Sequence, residues 1–229
     1  MIEAIRRIFG IPELRVKIAY TLLLLSVCRI GAYIPVPGVN ADVAISLFKF
    51  ATGGGQNLFQ LVDIFSGGAF AKMTILALGV MPYITASIIM QLLVALIPSL
   101  QRDIRESPDQ GRRKLSKWTR LATLVISLFQ SGLFAKYVVR VNLSSPGIIV
   151  PEILDVQVFG MPWLFYITVM VTMTAGTLFL MWIGEQITER GIGNGMSLLI
   201  YAGIVVGLPR AVVTTLTQLQ SGDIGLIRL

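Results

Sequence analysis

The sequence contains no histidine and only one cysteine, Cys28, among its 229 residues. Without histidine, imidazole acid–base catalysis and histidine metal sites are excluded. With a single cysteine, neither an intrachain disulfide nor a thiolate cluster can form. The P-loop, H-E-x-x-H and G-x-S-x-G patterns are also absent from the sequence. We therefore expect neither an enzyme nor a bound cofactor or metal.

Charge is scarce as well. Charged residues make up 14% of the chain, against about 25% in an ordinary soluble domain. Hydrophobic residues make up 55%, and the mean hydropathy is +0.78. This composition excludes intrinsic disorder and argues against a soluble globular domain. It predicts a polytopic, all-α membrane protein, whose length allows about five or six spans of roughly 20 residues each.

Apolar runs along the chain predict five transmembrane helices, over residues 18–34, 74–98, 121–141, 163–183 and 196–216. Pro209 is expected to kink or end the last of them. Segments 1–17, 99–120 and 184–195 together carry twelve Lys and Arg residues, whereas the segments on the opposite face carry six. The positive-inside rule therefore places the N-terminus in the cytoplasm and, after five spans, the C-terminus outside.

Most of the basic excess comes from the predicted cytoplasmic loop 99–120. One interpretation is that these charges only fix the topology and attract lipid headgroups. The other is a docking surface for an acidic partner, such as ribosomal RNA or a cytosolic motor. The loop contains seven basic residues: Arg102, Arg105, Arg112, Arg113, Lys114, Lys117 and Arg120.

Residues 58–73, between the first two predicted spans, are apolar but interrupted by Asp63, Gly67, Gly68 and Lys72. The stretch is too short to span a membrane. It suits either a re-entrant segment, which membranes tolerate only where protein or a water-filled cavity surrounds it, or an external amphipathic helix.

Two further features are unusual for a simple helical bundle. Gly79 and Pro82 fall within one turn of the second span and should break it. Arg29 lies inside the first span, where it either snorkels outward or is held at membrane depth at a cost of a few kcal/mol.

Several blocks closely resemble the bacterial SecY family of protein-conducting channels, and the resemblance runs along essentially the whole chain. The blocks are Arg29–Gly38, Phe65–Ala69, Leu78–Ser87, Gly111–Lys114 and Met181–Gly195. The last of them, MWIGEQITERGIGNG, is the most specific.

The resemblance implies a channel of two inverted halves with five spans each, a recurring design in membrane proteins. This chain would be the N-terminal half, residues 1–229, and a C-terminal five-span half would complete the pore. The family's plug matches Phe65, Ser66, Gly67, Gly68, Ala69 and Phe70. Its apolar pore ring matches Val80, Ile84, Met196 and Ile200, which are paired at i and i+4 on two helices.

The implied function is the channel-forming subunit of the Sec protein translocase, a passive conduit for unfolded preproteins with a lateral exit for membrane segments. Implied partners are SecE-like and SecG-like small subunits, a SecA motor or a ribosome, signal sequences and the lipid bilayer. The implied location is the bacterial inner membrane, with a plastid thylakoid as second choice.

Two alternatives stay open. A five-span half of a small-molecule transporter would place its site at the broken second span and would need ionisable residues deep in the bundle, where only Arg29 qualifies. A non-conducting structural subunit would leave the plug-like stretch and the paired ring positions unexplained.

Overall fold

The computed structural model describes residues 11–52, 63–98, 100–102, 108–144, 146–151 and 162–220. Within these ranges the chain is helical, and two isolated bridges, Pro35 with Thr74 and Val39 with Ile149, are its only strand-like pairings. The predicted all-α class is therefore confirmed for this part of the chain. The helices are α1 Pro12–Gly31, α2 Ala41–Thr52, α3 Met81–Leu96, α4 Pro108–Ser144, α5 Trp163–Arg190 and α6 Gly195–Gln220.

Among the described residues, two helices are long and apolar enough to cross a membrane. They are Arg113–Leu143 within α4 and Trp163–Arg190, which is α5. Helix α3 and the Gly195–Pro209 part of α6 are apolar but shorter. Large apolar side chains such as Val125, Phe129 and Val171 are exposed on the outer surfaces of α4 and α5. The five-span arrangement stays a prediction.

Helices α4 and α5 pack along a seam of small hydroxylated residues. The hydroxyl oxygens of Ser131 on α4 and Thr174 on α5 lie 3.5 Å apart. Thr123 and Ser127 on α4 are fully buried, and their hydroxyls donate hydrogen bonds to backbone carbonyls of the same helix. Small side chains let two helices approach closely without a strong hydrophobic drive, which is the usual packing between membrane helices.

The connection after α1 is fixed by backbone pairing with residues 73–75. The Val36 N–H donates to the Met73 carbonyl at 3.0 Å, and the Ile75 N–H donates to the Ile34 carbonyl at 3.0 Å. Gly176 on α5 allows the Ile75 carbonyl to approach, because a methyl group at position 176 would collide with it. Residues 73–77 are thereby anchored between α1 and α5. A buried apolar cluster around them includes Val36, Met73, Ala77, Phe134, Ile149, Phe165 and Met173.

The second predicted span, residues 74–98, is helical only from Met81 onward. Residues 66–80 form turns instead, and Gly79 adopts a left-handed φ of +57°. Pro82 lies in the first turn of α3, where its missing N–H costs no helical hydrogen bond. The break that Gly79 and Pro82 predict is thus present, and it acts as the N-terminal boundary of the helix.

Other helix bounds also differ from the predicted spans, including those of α1, which begins at Pro12 and ends at Gly31, and the end of α5, at Arg190. Helix α4 begins at Pro108, so residues 108–120 of the predicted loop 99–120 are helical. Helix α6 continues through Pro209 to Gln220. Helix α2 lies in the long connection where no helix was predicted, and the Asn40 side chain accepts the Asp42 N–H at its start. That Asn signal is typical of a helix N-terminus.

Candidate functional site

Residues 63–73 fold into a compact turn that is held by its own polar groups. We call these residues the 63–73 segment; residues 58–62 of the predicted plug lie outside the described residues. The Asp63 carbonyl accepts the Gly68 N–H at 2.8 Å, and its Oδ1 accepts the Ala71 N–H at 2.7 Å. The Ser66 hydroxyl accepts the Phe70 N–H at 3.1 Å. With these backbone groups satisfied, the segment presents mainly apolar side chains to the helices around it.

The second half of the segment is packed into the cluster around residues 73–77. Ala69 is fully buried. The Phe70 ring packs edge-on against Phe134 of α4, with centroids 5.4 Å apart, and against Phe48 of α2, at 6.0 Å. Aromatic pairs in this geometry stabilise the contact beyond the area they bury. This half is therefore the fixed end of the segment.

The first half of the segment faces a small cavity between α1, α5 and α6. The cavity has a volume of about 60 Å³, and Phe65 and Ser66 line it on the segment's side. Leu25 and Arg29 line it from α1, and Leu199 from α6. Phe65 is 43% exposed, in contrast to the buried Ala69 that follows it. This half is the more loosely packed end.

Arg29 is paired with the backbone of the 63–73 segment. Its Nη2 donates to the Gly67 carbonyl at 3.0 Å, and the side chain is half-buried. The sequence left open whether Arg29 snorkels outward or is held at membrane depth. This hydrogen bond favours an Arg29 side chain held within the protein. Gly67 itself has a left-handed φ of +66°, which glycine adopts without steric cost.

The four predicted ring residues occupy the starts of α3 and α6. Val80 is the N-cap of α3, and its carbonyl accepts the Ile84 N–H at 3.1 Å. Met196 and Ile200 are likewise four residues apart, in the first turns of α6. Val80 and Met196 pack against one buried cluster, whereas Ile84 and Ile200 are half-buried and do not belong to it. The cluster consists of Leu24, Ile183, Ile187 and Leu199.

The start of α6 is positioned by contacts with α5 and α1 that sequence reasoning missed. The Thr188 hydroxyl accepts the Gly195 N–H at 2.9 Å and donates to the Gly184 carbonyl at 2.8 Å. The Gly184 carbonyl sits so close to Gly195 that a methyl group there would collide with it. The Thr21 hydroxyl of α1 accepts the Ile192 N–H at 3.3 Å. The clustering of glycines at 191–195 was the signal that could have located this junction.

The predicted basic residues fall into two groups. Arg120 pairs with Glu185 of α5 through two contacts, Nε to Oε1 at 2.9 Å and Nη2 to Oε2 at 2.8 Å. The others that the structure describes are exposed, and they lie on the last residues after α3 or along the start of α4. The exposed residues are Arg102, Arg113, Lys114 and Lys117. Arg105 and the side chain of Arg112 lie outside the described residues.

The site as a whole is apolar, and its side chains interact mainly by packing. No group of three or more Cys, Asp or Glu side chains is placed to hold a metal ion among the described residues. A folded-back segment lies beside two helix starts that each carry a pair of apolar side chains.

Comparison with known proteins identifies the family. The SecY family model matches residues 74–228. "Protein translocase subunit SecY" of Chlamydia trachomatis is 56% identical over 219 residues, which is 96% of this chain and 48% of that protein. The proteins of the same name from Aquifex aeolicus and Escherichia coli K12 are each 43% identical. They align with 100% and 94% of this chain, and with 51% and 45% of their own lengths.

A solved structure, "The structure of a protein conducting channel", matches 82% of this chain and 35% of its own with a TM-score of 0.51. At 23% identity, this likeness shows the fold alone. The chain spans about half the length of the curated relatives it matches. The family match covers more than half of the chain and the identities are high, so the chain belongs to the SecY family of membrane proteins.

Proposed function

We propose that this chain forms one half of the wall of a protein-conducting channel in the Sec translocase. The channel is a passive conduit for unfolded preproteins and a lateral exit for membrane segments, and it carries out no chemistry. The observation that carries this proposal is the alignment of 94% to 100% of the chain with proteins named as protein translocase subunits. The apolar character of the site is consistent with a conduit rather than an enzyme.

In this proposal Val80, Ile84, Met196 and Ile200 contribute half of an apolar ring at the constriction. An apolar ring lets a chain of any sequence slide past and excludes water and ions when it is closed. Two members, Val80 and Met196, already pack on a common cluster. Ile84 and Ile200, half-buried and one turn further along, are left to face the pore.

The 63–73 segment acts as the plug, with Phe65 to Phe70 at its centre. Its fixed end, anchored through Phe70, keeps it attached, and its loosely packed end next to the cavity is the part that moves. This asymmetry supports a segment that swings from one end when a polypeptide enters.

The topology that accompanies this function has five spans, with the N-terminus in the cytoplasm. The exposed basic residues Arg102, Arg113, Lys114 and Lys117 then lie on the cytoplasmic face, where they dock a translating ribosome or a SecA motor. SecE-like and SecG-like subunits, and a second five-span half, complete the channel. The bacterial relatives favour the bacterial inner membrane as the location.

The transporter alternative is weakened by the state of Arg29. A coupled transporter needs an ionisable group available to substrate or ion within the bundle. Here Arg29 is bonded to a backbone carbonyl of the same chain.

The test is ion leak through a complete channel. This chain replaces the aligned residues of the Escherichia coli relative, and the chimera is reconstituted into liposomes that contain a chloride-sensitive dye. Ile84→Ser and Ile200→Ser should raise the resting chloride leak, because a polar ring hydrates more readily. Ile89→Ser, about 140° around α3 from Ile84, is the control and should leave the leak unchanged. Equal leaks in all variants would remove support for the ring.

A further inference from the structure

Arg29 on α1 contacts the more exposed half of the 63–73 segment with a charged group. Besides the hydrogen bond from Nη2 to the Gly67 carbonyl, Nη1 also lies against Gly67, because a methyl group at Gly67 would be only 2.5 Å from it. The whole end of the guanidinium is therefore seated on one peptide of the segment. A hydrogen bond from a charged donor is stronger than one between neutral groups.

The segment also contacts α6 on the side that faces Arg29, because a methyl group at Gly67 would lie 3.2 Å from the Gly203 Cα as well. A methyl group on Gly203 would lie 2.9 Å from the Phe65 carbonyl and 3.6 Å from the Gly67 nitrogen, so the backbones of α6 and the segment are in direct contact. Arg29 on α1 and Gly203 on α6 therefore both contact the segment at Gly67. Both helices also line the 60 Å³ cavity into which this half of the segment faces.

We propose that Arg29 is a latch that holds the plug segment in its closed position through the Gly67 carbonyl, with Gly203 as the seat. This inference rests on the proposed plug function. Arg29 is a positioning residue, because it acts through the segment that it holds. One charged hydrogen bond is strong enough to bias the segment toward the closed position and weak enough for an entering polypeptide to displace it.

The latch should be visible in the resting leak of the chimeric channel. Arg29→Gln removes the charged donor, and the loss of one charge-assisted hydrogen bond corresponds to about a tenfold shift toward the released segment and a similar rise in leak. Arg15→Gln removes the same charge from an exposed position on the same helix and should leak like the parent. A leak of Arg29→Gln equal to that of Arg15→Gln would overturn the latch.

A disulfide provides rescue that a general loss of stability would not show. A Cβ at Gly79 would lie 3.8 Å from the Ser66 Cβ, which is the usual separation in a disulfide. The Ser66→Cys and Gly79→Cys pair, in a Cys28→Ala background because Cys28 lines the same cavity, ties the segment to the start of α3 without Arg29. Oxidation should lower the leak of Arg29→Gln to the parent level, and reduction of the disulfide should raise the leak again. If the oxidised pair leaks as much as the reduced pair, the leak does not come from segment release and the latch is wrong.

A second pair of variants covers the case in which Arg29→Gln does not fold. Gly67→Ala places a methyl group 2.5 Å from the guanidinium of the latch and 3.2 Å from its seat at the Gly203 Cα, whereas Gly68→Ala, at a similarly left-handed φ of +84°, meets nothing within 4 Å. Gly67→Ala should leak more than Gly68→Ala, and equal leaks contradict the latch. Ile84→Ser distinguishes a failure of the latch from a failure of the channel function. If it raises the leak and the latch variants do not, only the latch fails; if neither class of variant changes the leak, the channel function fails with it.

Discussion

Replacing Gly203 by alanine adds one methyl group where α6 touches the 63–73 segment. The new carbon would lie 2.9 Å from the Phe65 carbonyl oxygen, closer than real side-chain carbons approach, and the obstacle is backbone rather than a flexible side chain. Either α6 or the segment must shift by several tenths of an ångström. Overpacking of this kind costs about 1–3 kcal/mol. Alanine's better helix propensity returns up to about 1 kcal/mol.

Gly207→Ala is the matched control, one turn further along the same helix. A methyl group there meets nothing within 4 Å, so only the helix-propensity gain applies. The two variants should therefore differ by about 1–3 kcal/mol in the free energy of unfolding, with Gly203→Ala the less stable. Tryptophan fluorescence during urea or thermal unfolding in detergent measures this difference. Indistinguishable unfolding curves would refute the close contact between α6 and the segment.

Three further predictions concern the frame around the site. Thr188→Val leaves the buried Gly195 N–H without its acceptor and should lower the free energy of unfolding by about 1–3 kcal/mol. Thr168→Val, on the same helix, removes only a hydrogen bond to the Leu164 carbonyl and should lower it less. Unfolding curves of the two variants measure this difference, and equal losses would contradict the role of Thr188. Gly176→Ala collides with the Ile75 carbonyl and should lower the melting temperature, while Gly132→Ala, whose new methyl would lie 3.7 Å from Met170, should not; equal melting temperatures would contradict the anchoring of residues 73–77. Arg120→Gln breaks the ion pair with Glu185, and because Arg120 is half exposed the free energy of unfolding should fall by no more than about 1 kcal/mol. This loss should be smaller at about 1 M salt, which screens the charges. A loss that does not depend on salt would show that the ion pair is not its source.

Local features of the sequence predicted the parts of the fold that depend on local physics. Helices α4 and α5 follow long apolar runs, and the start of α3 follows from Gly79 and Pro82, because backbone conformation and a missing N–H act within one turn. The exposed basic residues were also placed near one another, although residues 108–120 are helical where a loop was predicted. Helix α2 was not predicted, although Asn40 is a residue typical of a helix N-cap.

The remaining errors come from contacts between distant parts of the chain. Residues 74–80 are as apolar as a helical span, yet they form turns. The Ile75 N–H donates to the Ile34 carbonyl, the preceding Met73 carbonyl accepts the Val36 N–H, and Gly176 opens space for the Ile75 carbonyl. Likewise, whether Arg29 snorkels or pairs depends on the position of Gly67, 38 residues later. No periodicity in a single sequence encodes such pairings.

The family resemblance, rather than the residue pattern alone, supplied the assignment of the plug and the ring. The pattern at Val80 and Ile84 is equally typical of ordinary helix packing, and i, i+4 spacing only places two residues on one face. The structure adds that Val80 and Met196 pack on one cluster and that the 63–73 segment has a fixed end, at Phe70, and a more exposed end, at Phe65. These are geometric facts that a functional measurement can use.

In the proposed function, a polypeptide passes between the starts of α3 and α6. The most direct measurement is photo-crosslinking from a reactive amino acid at Ile84 or Ile200 in the chimeric channel to a preprotein stalled during translocation. Ile89, about 140° away on α3, is the control position. We expect crosslinks from Ile84 and Ile200 that appear only when the preprotein is engaged, and none from Ile89. Crosslinks of equal strength from all three positions, or none from Ile84 and Ile200, would contradict it.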